Sequence, residues 1–515
     1  MSFTSARFVL FVLAAVVLYY LAPKKGRWVV LLGASYLFYA VGGGRTVGYL
    51  LVTTLSTWLA GLALGAMNAQ AKGGDRQLRQ TIKTRKRLVV LAALLLNFGM
   101  LYVLKYWGFT VEQLNKLPHV SLTAYDFLLP LGVSFYIFQS AGYVIDCYRG
   151  KDQPEANPAK FALFVSFFPQ MVQGPISRFR QLSPQLIRGN DFDADNLKYG
   201  IQLMLWGYFK KMVIAERAGV LVNTVFDGYW NYGGATLAAG VFFYCIQLYC
   251  DFSGGIDVTR GVARLFGIDM AENFRRPIYA KSLADYWRRW HITLGQWMRD
   301  YVFYPLSLSK PFGRLGKWSR KHIGGKLGKI VATSLATFIV YLIIGIWHGA
   351  NFRYIAFGFW NGGVITFSLL MEGKYHAAKE KLNIDDKALP WRLWQMARTC
   401  VIVFLGRYIT RAPRLLTAVW MITQLWRNPC WGDLTSGTLL TLGLGARDIA
   451  VVFVSMLVVL LVELYQEKGG QVRKSLEQRH WAVQWAAMVL PLLVILLLGV
   501  MGGDYVPAGF IYQQF

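Results

Sequence analysis

The chain has 515 residues, of which 55% are hydrophobic and only 16% charged. With a mean hydropathy of +0.36, this composition excludes an ordinary soluble enzyme and places the chain among all-α polytopic membrane proteins. A formal charge of +28 would suit a nucleic-acid binder, but its placement argues against that partner. The basic residues gather between apolar runs, at 71–87 and 310–329, which is the positive-inside pattern of a membrane protein.

The first apolar run, FVLFVLAAVVLYYLAP, has no small-x-small cleavage site and is followed by Lys24, Lys25 and Arg27. It reads as a retained helix rather than a signal peptide. Apolar runs cover about 8–22, 28–42, 46–67, 88–106 and 127–146; a span needs about 20 such residues. Placing the basic loop 71–87 in the cytoplasm puts the N-terminus and the loop 107–126 outside, and 149–160 inside. Pro169, Gly174 and Pro175 interrupt the next apolar stretch, predicting a break or re-entry over 169–176 or simply a helix end.

Residues 199–226 are apolar but carry Lys210, Lys211, Glu216 and Arg217. That suits a helix bent along the cytoplasmic interface with its lysines snorkelling outward. The following run holds Gln247, Asp251, Ser253, Asp257 and Arg260. Ionisable groups in a span are costly and are usually paired or functional. Asp257 and Arg260 are spaced to pair with each other, whereas Asp251 has no sequence-local partner.

The segment 272–305, ENFRRPIYAKSLADYWRRWHITLGQWMRDYVFYP, is the least membrane-like long stretch. On a helix, Trp287, Trp290, His291, Leu294, Trp297, Met298 and Tyr301 share one face, with Arg288, Arg289, Thr293, Gln296, Arg299 and Asp300 opposite. The spacing predicts one amphipathic helix with His291 on its apolar side. Further spans are expected near 331–347, 354–371, 396–409, 449–465 and 482–500, with a shorter interfacial stretch at 415–425. Neither a repeat nor a long linker divides the chain, so a single membrane domain over 1–515 is expected.

No nucleotide-binding or soluble-hydrolase motif is present. Cys147, Cys245, Cys250, Cys400 and Cys430 are scattered without metal-ligand spacing, so they read as small buried hydrophobes and no metal is expected. Chemistry then falls to histidine. His119, His322, His376 and His480 sit in loops or among charges and read as solvated. His348 closes an uncharged run and precedes Gly349, Ala350 and Asn351. Burial there would keep its imidazole neutral and able to take a proton from a hydroxyl; a capping histidine at a helix end is the plainer alternative. Around His291, aromatic walls can exclude water, while Arg288 or Arg289 can meet a phosphate; an ordinary interfacial-helix histidine also fits. A transporter or channel fits poorly, because Asp251, Asp257 and Glu463 are too scattered for an ion path and no inverted halves are visible.

Six segments together resemble the membrane-bound O-acyltransferase family, in the bacterial branch typified by alginate O-acetyltransferase. They are LPLGVSFYIFQSAGYVIDCYRG (129–150), SFFPQMVQGPISRFRQLSPQL (166–186), LWGYFKKMVIAERA (205–218), YCDFSGGIDVTRGVARLFG (249–267), NFRRPIYAKSLADYWRRWHITL (273–294) and IGIWHGAN (344–351). They follow the family's order, and the resemblance covers nearly the whole chain. It implies about 11 transmembrane helices, with re-entrant and interfacial helices, around a central funnel and tunnel. It also implies that His348, in W-H-G, is the principal catalytic histidine and that His291, in Y-W-R-R-W-H, is the second; lipid-modifying branches tend to carry Asn at the latter position. Trp287, Trp290, Arg288, Arg289, Gln247, Asp251, Ser253, Trp347 and Asn351 are expected to line the donor site or tunnel. The implied reaction carries acetyl from cytoplasmic acetyl-CoA across the bacterial cytoplasmic (inner) membrane. The implied acceptor is a serine of an extracytoplasmic, serine-esterase-like partner protein, which then acylates an exopolysaccharide, alginate-like or other. A neighbouring branch transfers D-alanine from a carrier protein toward teichoic acid. The chain length and the segment FLGRYITRAPRLLTAVWMI (404–422) look more like the acetyl branch.

Overall fold

A computed structural model describes residues 2–325 and 327–500, and the elements among them are helical; the only bridge is an isolated pair, Phe274 with Trp290. The chain groups into two compact units: residues up to Tyr208 with Gly254–Ala271, and Phe209–Ser253 with the residues from Glu272 on.

The first unit opens with α1 (Ala6–Leu21), started by the Ser5 hydroxyl, which accepts from the Phe8 N–H. Then come α2 (Arg27–Gly43), α3 (Val47–Gly73), α4 (Arg76–Leu114) and α5 (Val133–Tyr148). Helices α3, α4 and α5 pack on one another. The expected loop 71–87 is mostly helix: Asp75 caps α4 by accepting from the Leu78 N–H at 2.7 Å, and no breaker follows it. After α6 (Pro158–Ser166) the chain leaves the helix at Phe167 and makes one turn, α7 (Phe168–Met171). It is non-helical again until α8 (Phe179–Ile187), which α9 (Ala194–Tyr208) follows. This is the interruption expected over 169–176. The Phe164 carbonyl, freed at the end of α6, accepts from Gln139 Nε2 at 2.6 Å, and Gln170 Nε2 donates to Gln139 Oε1 at 2.8 Å.

Gly132, at the start of α5, has φ +68°, and a Cβ there would overlap the Met171 carbonyl oxygen. Both the left-handed backbone and the close approach require glycine.

The second unit begins with a π-helical stretch, Phe209–Ala215, running into α10 (Glu216–Asp227). Helix α11 (Gly234–Leu265) starts in this unit and ends in the first. Next come α12 (Leu283–Arg289), α13 (Ile292–Met298), a second π turn (Arg299–Phe303), α14 (Tyr304–Ser307) and α15 (Lys310–Ile323). Helices α16 (Leu327–His348) and α17 (Phe352–Leu370) form a tight hairpin, in which the Cα of Gly358 lies 3.0 Å from where a Gly345 Cβ would stand. The chain continues through α18 (Glu372–Lys381), α19 (Leu389–Arg411), α20 (Leu415–Arg427), α21 (Ala446–Glu467), α22 (Val472–Glu477) and α23 (Trp481–Leu498).

Among the described residues, six helical segments are long and apolar enough to cross a membrane, seven if the bent pair α17–α18 counts as one. One of the six, Lys24–Gly73, contains both α2 and α3. Others stay below that test because they are short, like the 16 residues of α5, or because they carry charge. Leu10, Leu21, Leu95 and Leu497 are exposed, as lipid-facing side chains must be.

The continuous helix expected through 287–301 is broken at its histidine. Helix α12 stops at Arg289, Trp290 is extended, and His291 adopts the left-handed conformation at φ 48° and ψ 52° before α13 starts. The cause is the segment before it. Arg275 N–H donates to the Arg289 carbonyl at 2.8 Å and Ile292 N–H to the Asn273 carbonyl at 3.0 Å, so backbone groups that would have continued the helix pair across the Phe274–Trp290 bridge. A left-handed non-glycine residue costs about 1–2 kcal/mol, least for Asn, Asp and His.

Two outcomes follow. Gly132→Ala should lower stability by about 2–5 kcal/mol through strain and overlap, read as a lower thermal midpoint in detergent; an unchanged midpoint would contradict the described contact. His291→Asn should retain about 1–2 kcal/mol more stability than His291→Val, because only Asn tolerates that backbone; equal midpoints would contradict the strained geometry.

Candidate functional site

Two of the six histidines are buried, His291 at 2% exposure and His348 at 8%; His119, His322, His376 and His480 are exposed. Both buried imidazoles belong to the second unit. His348 is the last residue of α16, so its side chain stands where the helix ends and the turn Gly349–Asn351 begins. Asn351 closes that turn by capping α17, accepting from the Arg353 N–H at 3.0 Å. Phe357 packs edge-on to His348 at 6.0 Å, with Tyr354 at 6.3 Å.

Trp347 meets both imidazoles. Its ring centre is 5.0 Å from His348 and 6.0 Å from His291. His291 is also packed edge-on by Phe252 of α11 at 4.9 Å. Its Nδ1 is 3.3 Å from Asn273 Oδ1, which also accepts from the N–H and hydroxyl of Thr293 at 3.0 and 2.9 Å. Those two donors identify the Asn273 atom as the oxygen. An amide oxygen only accepts, so Nδ1 carries the proton and the basic lone pair of His291 is on Nε2. Burial pushes the His291 imidazole down, to about 3, so it stays neutral through the physiological range. Asn273 is a site residue that periodicity could not reveal, because it reaches His291 through the bridge.

The other expected site residues divide. Trp290 is buried, stacks on Tyr286 at 5.6 Å and meets Phe274 edge-on at 4.9 Å. Trp287 donates from Nε1 to Asn361 Oδ1 at 3.0 Å and packs on Phe357 at 6.0 Å, which joins α12 to the ring beside His348. Arg288 is exposed, 3.5 Å from Asp285. Arg289 makes a two-pronged contact with Glu467, 3.0 Å on each side, and a 3.2 Å contact with Asp285; Arg276 meets the same Glu467 at 2.7 Å. Its guanidinium is therefore a clamp between α12 and α21, whereas that of Arg288 is exposed beside Asp285 alone among these carboxylates. Gln247 lies over Gly219, 2.7 Å from where a Cβ would stand.

Asp251 and Ser253 meet lysines. Lys210 and Lys211, expected to snorkel outward, are buried at 4% and 3%. Lys211 Nζ ion-pairs with both Asp251 and Glu216, the latter at 2.7 Å, and Lys210 Nζ donates to Ser253 Oγ at 2.9 Å. Asp251 thus has its partner from a distant stretch of sequence, whereas Asp257 and Arg260 approach to 3.9 Å as their spacing suggested. Removing one member of such a buried pair strands the other charge at about 3–5 kcal/mol.

Arg407 of α19 was not picked out from the sequence. It is buried, donates to the Tyr286 hydroxyl at 2.8 Å, and lies over the Trp290 ring at 5.2 Å and Phe357 at 5.9 Å. Its cation braces one ring adjacent to His291 in sequence and another in contact with His348. Cys147 and Cys250 are buried as expected, but Cys400 and Cys430 are exposed. Among the described residues no group of three or more His, Cys, Asp or Glu is placed to hold a metal.

Comparison with known proteins bears directly on this geometry. The model of MBOAT, the membrane-bound O-acyltransferase family, matches residues 151–409, a stretch that includes both buried histidines and the buried lysine pair. A probable alginate O-acetylase AlgI of Pseudomonas syringae is 30% identical over 89% of this chain and 81% of its own length. The protein of the same name from Pseudomonas aeruginosa is 32% identical over 84% and 76%. A teichoic acid D-alanyltransferase of Bacillus subtilis is 26% identical over 62% and 76%. With apolar helices long enough for several crossings, the chain is a multi-pass membrane O-acyltransferase and belongs to the membrane-bound O-acyltransferase family.

Proposed function

We propose that this enzyme transfers acetyl from acetyl-CoA, bound from the cytoplasmic side, to an extracytoplasmic hydroxyl during O-acetylation of an exopolysaccharide such as alginate. The observation that carries the reading is the pair of buried imidazoles that both meet Trp347, within a chain similar over most of its length to alginate O-acetylases. In this reading the acceptor is a serine hydroxyl of an extracytoplasmic, serine-esterase-like partner protein. The membrane is the bacterial cytoplasmic membrane, with the N-terminus outside and the basic stretches 71–87 and 310–329 inside.

In this reaction His348 takes the proton of the acceptor hydroxyl as its oxygen attacks the thioester carbonyl. The new C–O bond forms, the tetrahedral intermediate collapses, and the C–S bond breaks. The departing thiolate recovers the proton from the His348 imidazolium. His291, its tautomer fixed by Asn273, presents Nε2 to the donor side, and Arg288 is available to the donor's phosphates.

His348→Ala should lower acetyl transfer from labelled acetyl-CoA in isolated membranes by about 10²–10⁴-fold, the usual contribution of a positioned general base, with expression and thermal midpoint retained. Full transfer by that variant would remove His348 from the mechanism. Labelling only from a D-alanyl-loaded carrier protein would assign the enzyme to the teichoic acid branch instead.

A further inference from the structure

We propose that Lys210 and Lys211 are positioning residues for His291, acting through the turn of α11 that carries Phe252. The proposal rests on the acetyl-transfer reading of the His291–His348 site and extends it to a pair of buried cations on the π-helical stretch that precedes α10.

The geometry begins with the π-helical stretch Phe209–Ala215. In an α-helix consecutive side chains diverge by about 100°. Bonding from i to i+5 widens the turn and reduces that angle, and such turns are common at functional sites. Here two adjacent lysines reach the same turn of one neighbouring helix, at Asp251 and Ser253. The residue between those anchors is Phe252, whose ring meets His291 edge-on at 4.9 Å and Phe274 at 4.9 Å. A third tie holds the same turn from another side: the Tyr249 hydroxyl bonds to Glu463 of α21, and its ring lies 6.1 Å from Trp290.

The energetics fit a positioning device. Lys210, Lys211, Glu216 and Asp251 are all buried, two cations against two anions. Desolvating four charges is expensive, and an apolar cluster of the same volume would serve stability at least as well. What ion pairs add over apolar packing is a unique geometry. The element fixed here is the ring against which His291 lies. The elements packed on His291 bring Phe252 from α11, Asn273 from the bridge segment and Trp347 from α16. Charged and titratable groups near these contacts include the four of the cluster, reached through the turn of Phe252, Glu463 on Tyr249, Arg407 over Trp290, and His348 on the far contact of Trp347.

The test uses the full-length protein in detergent or nanodiscs, with labelled acetyl-CoA and its partner acceptor. Lys211→Met should lower kcat about tenfold or more while the donor KM stays within twofold. It should also introduce an acid limb near pH 6.5, as a loosened Phe252 admits water and the imidazole returns toward its ordinary value. Lys211→Arg should restore most of the rate. If Lys211→Met does not fold, Lys211→Met combined with Glu216→Gln removes one charge of each sign, so the cluster stays neutral, and should show the same kcat loss and acid limb. A folded variant with wild-type kcat and an unchanged pH profile overturns the proposal, as does a change confined to KM, which would place the cluster in donor binding. A wild-type protein that transfers nothing from acetyl-CoA overturns the underlying reading and the proposal with it. Wild-type activity with unaltered variants overturns the positioning role alone.

Discussion

The bridge between Phe274 and Trp290 is the constraint on which the rest of the site depends. In a membrane protein, every backbone group that leaves a helix needs a partner from the protein itself or from a water-filled cavity. Arg275 and Ile292 supply those partners through their bonds to Arg289 and Asn273. The same short pairing carries the Asn273 side chain to His291 and turns Trp290 against Phe274. Were α12 to continue unbroken, His291 would sit one helical step from Trp290 on a simple apolar face. Breaking the helix costs backbone strain at one residue and yields an imidazole whose tautomer is set by a neighbouring amide. The clamp from Arg289 to Glu467 then ties the end of α12 to α21, since a two-pronged guanidinium–carboxylate contact fixes orientation as well as distance.

Charge has two roles in this chain, and they are separated by burial. Much of the +28 excess lies in exposed stretches such as α15, where Lys310, Arg314, Lys317, Arg320 and Lys321 are all exposed; there it is screened by salt. The buried cations each have a specified environment. Lys211 has two carboxylates, Lys210 a hydroxyl and the Tyr249 ring at 6.0 Å, and Arg407 a phenol and two aromatic faces. These are arrangements that fix side-chain position more than they add stability.

What was legible in the sequence follows from the range of the interactions involved. His348 is visible because a long uncharged run ends on it, a local pattern, and the interruption near Pro169 is equally local. The Asp257–Arg260 pair could be read from its spacing. Lys210 and Lys211 could not: as adjacent residues near a predicted interface they suggested snorkelling, and only the fold brings them to Asp251 and Ser253, some 40 positions away. Periodicity likewise predicted an unbroken helix at His291, because an amphipathic pattern does not register a bridge to a segment 16 residues earlier. Arg289 looked like a phosphate ligand for the same reason, its partner Glu467 being 178 positions distant. The resemblance of six segments to one family identified the chain more securely than any single pattern, since those segments record the long-range contacts that local rules miss.

Trp347 constrains how the two histidines can share the work. An indole has one N–H donor and no acceptor, so it cannot receive a proton from one imidazole and pass it to the other. Its faces and edges are apolar wall, 5.0 Å from one ring and 6.0 Å from the other. A direct relay through Trp347, of the kind in which one histidine orients and recharges another, is therefore excluded by chemistry. The two imidazoles also differ in their surroundings: His348 stands at the end of α16 against Phe357 and Tyr354, whereas His291 is packed by Phe252 and bonded to Asn273.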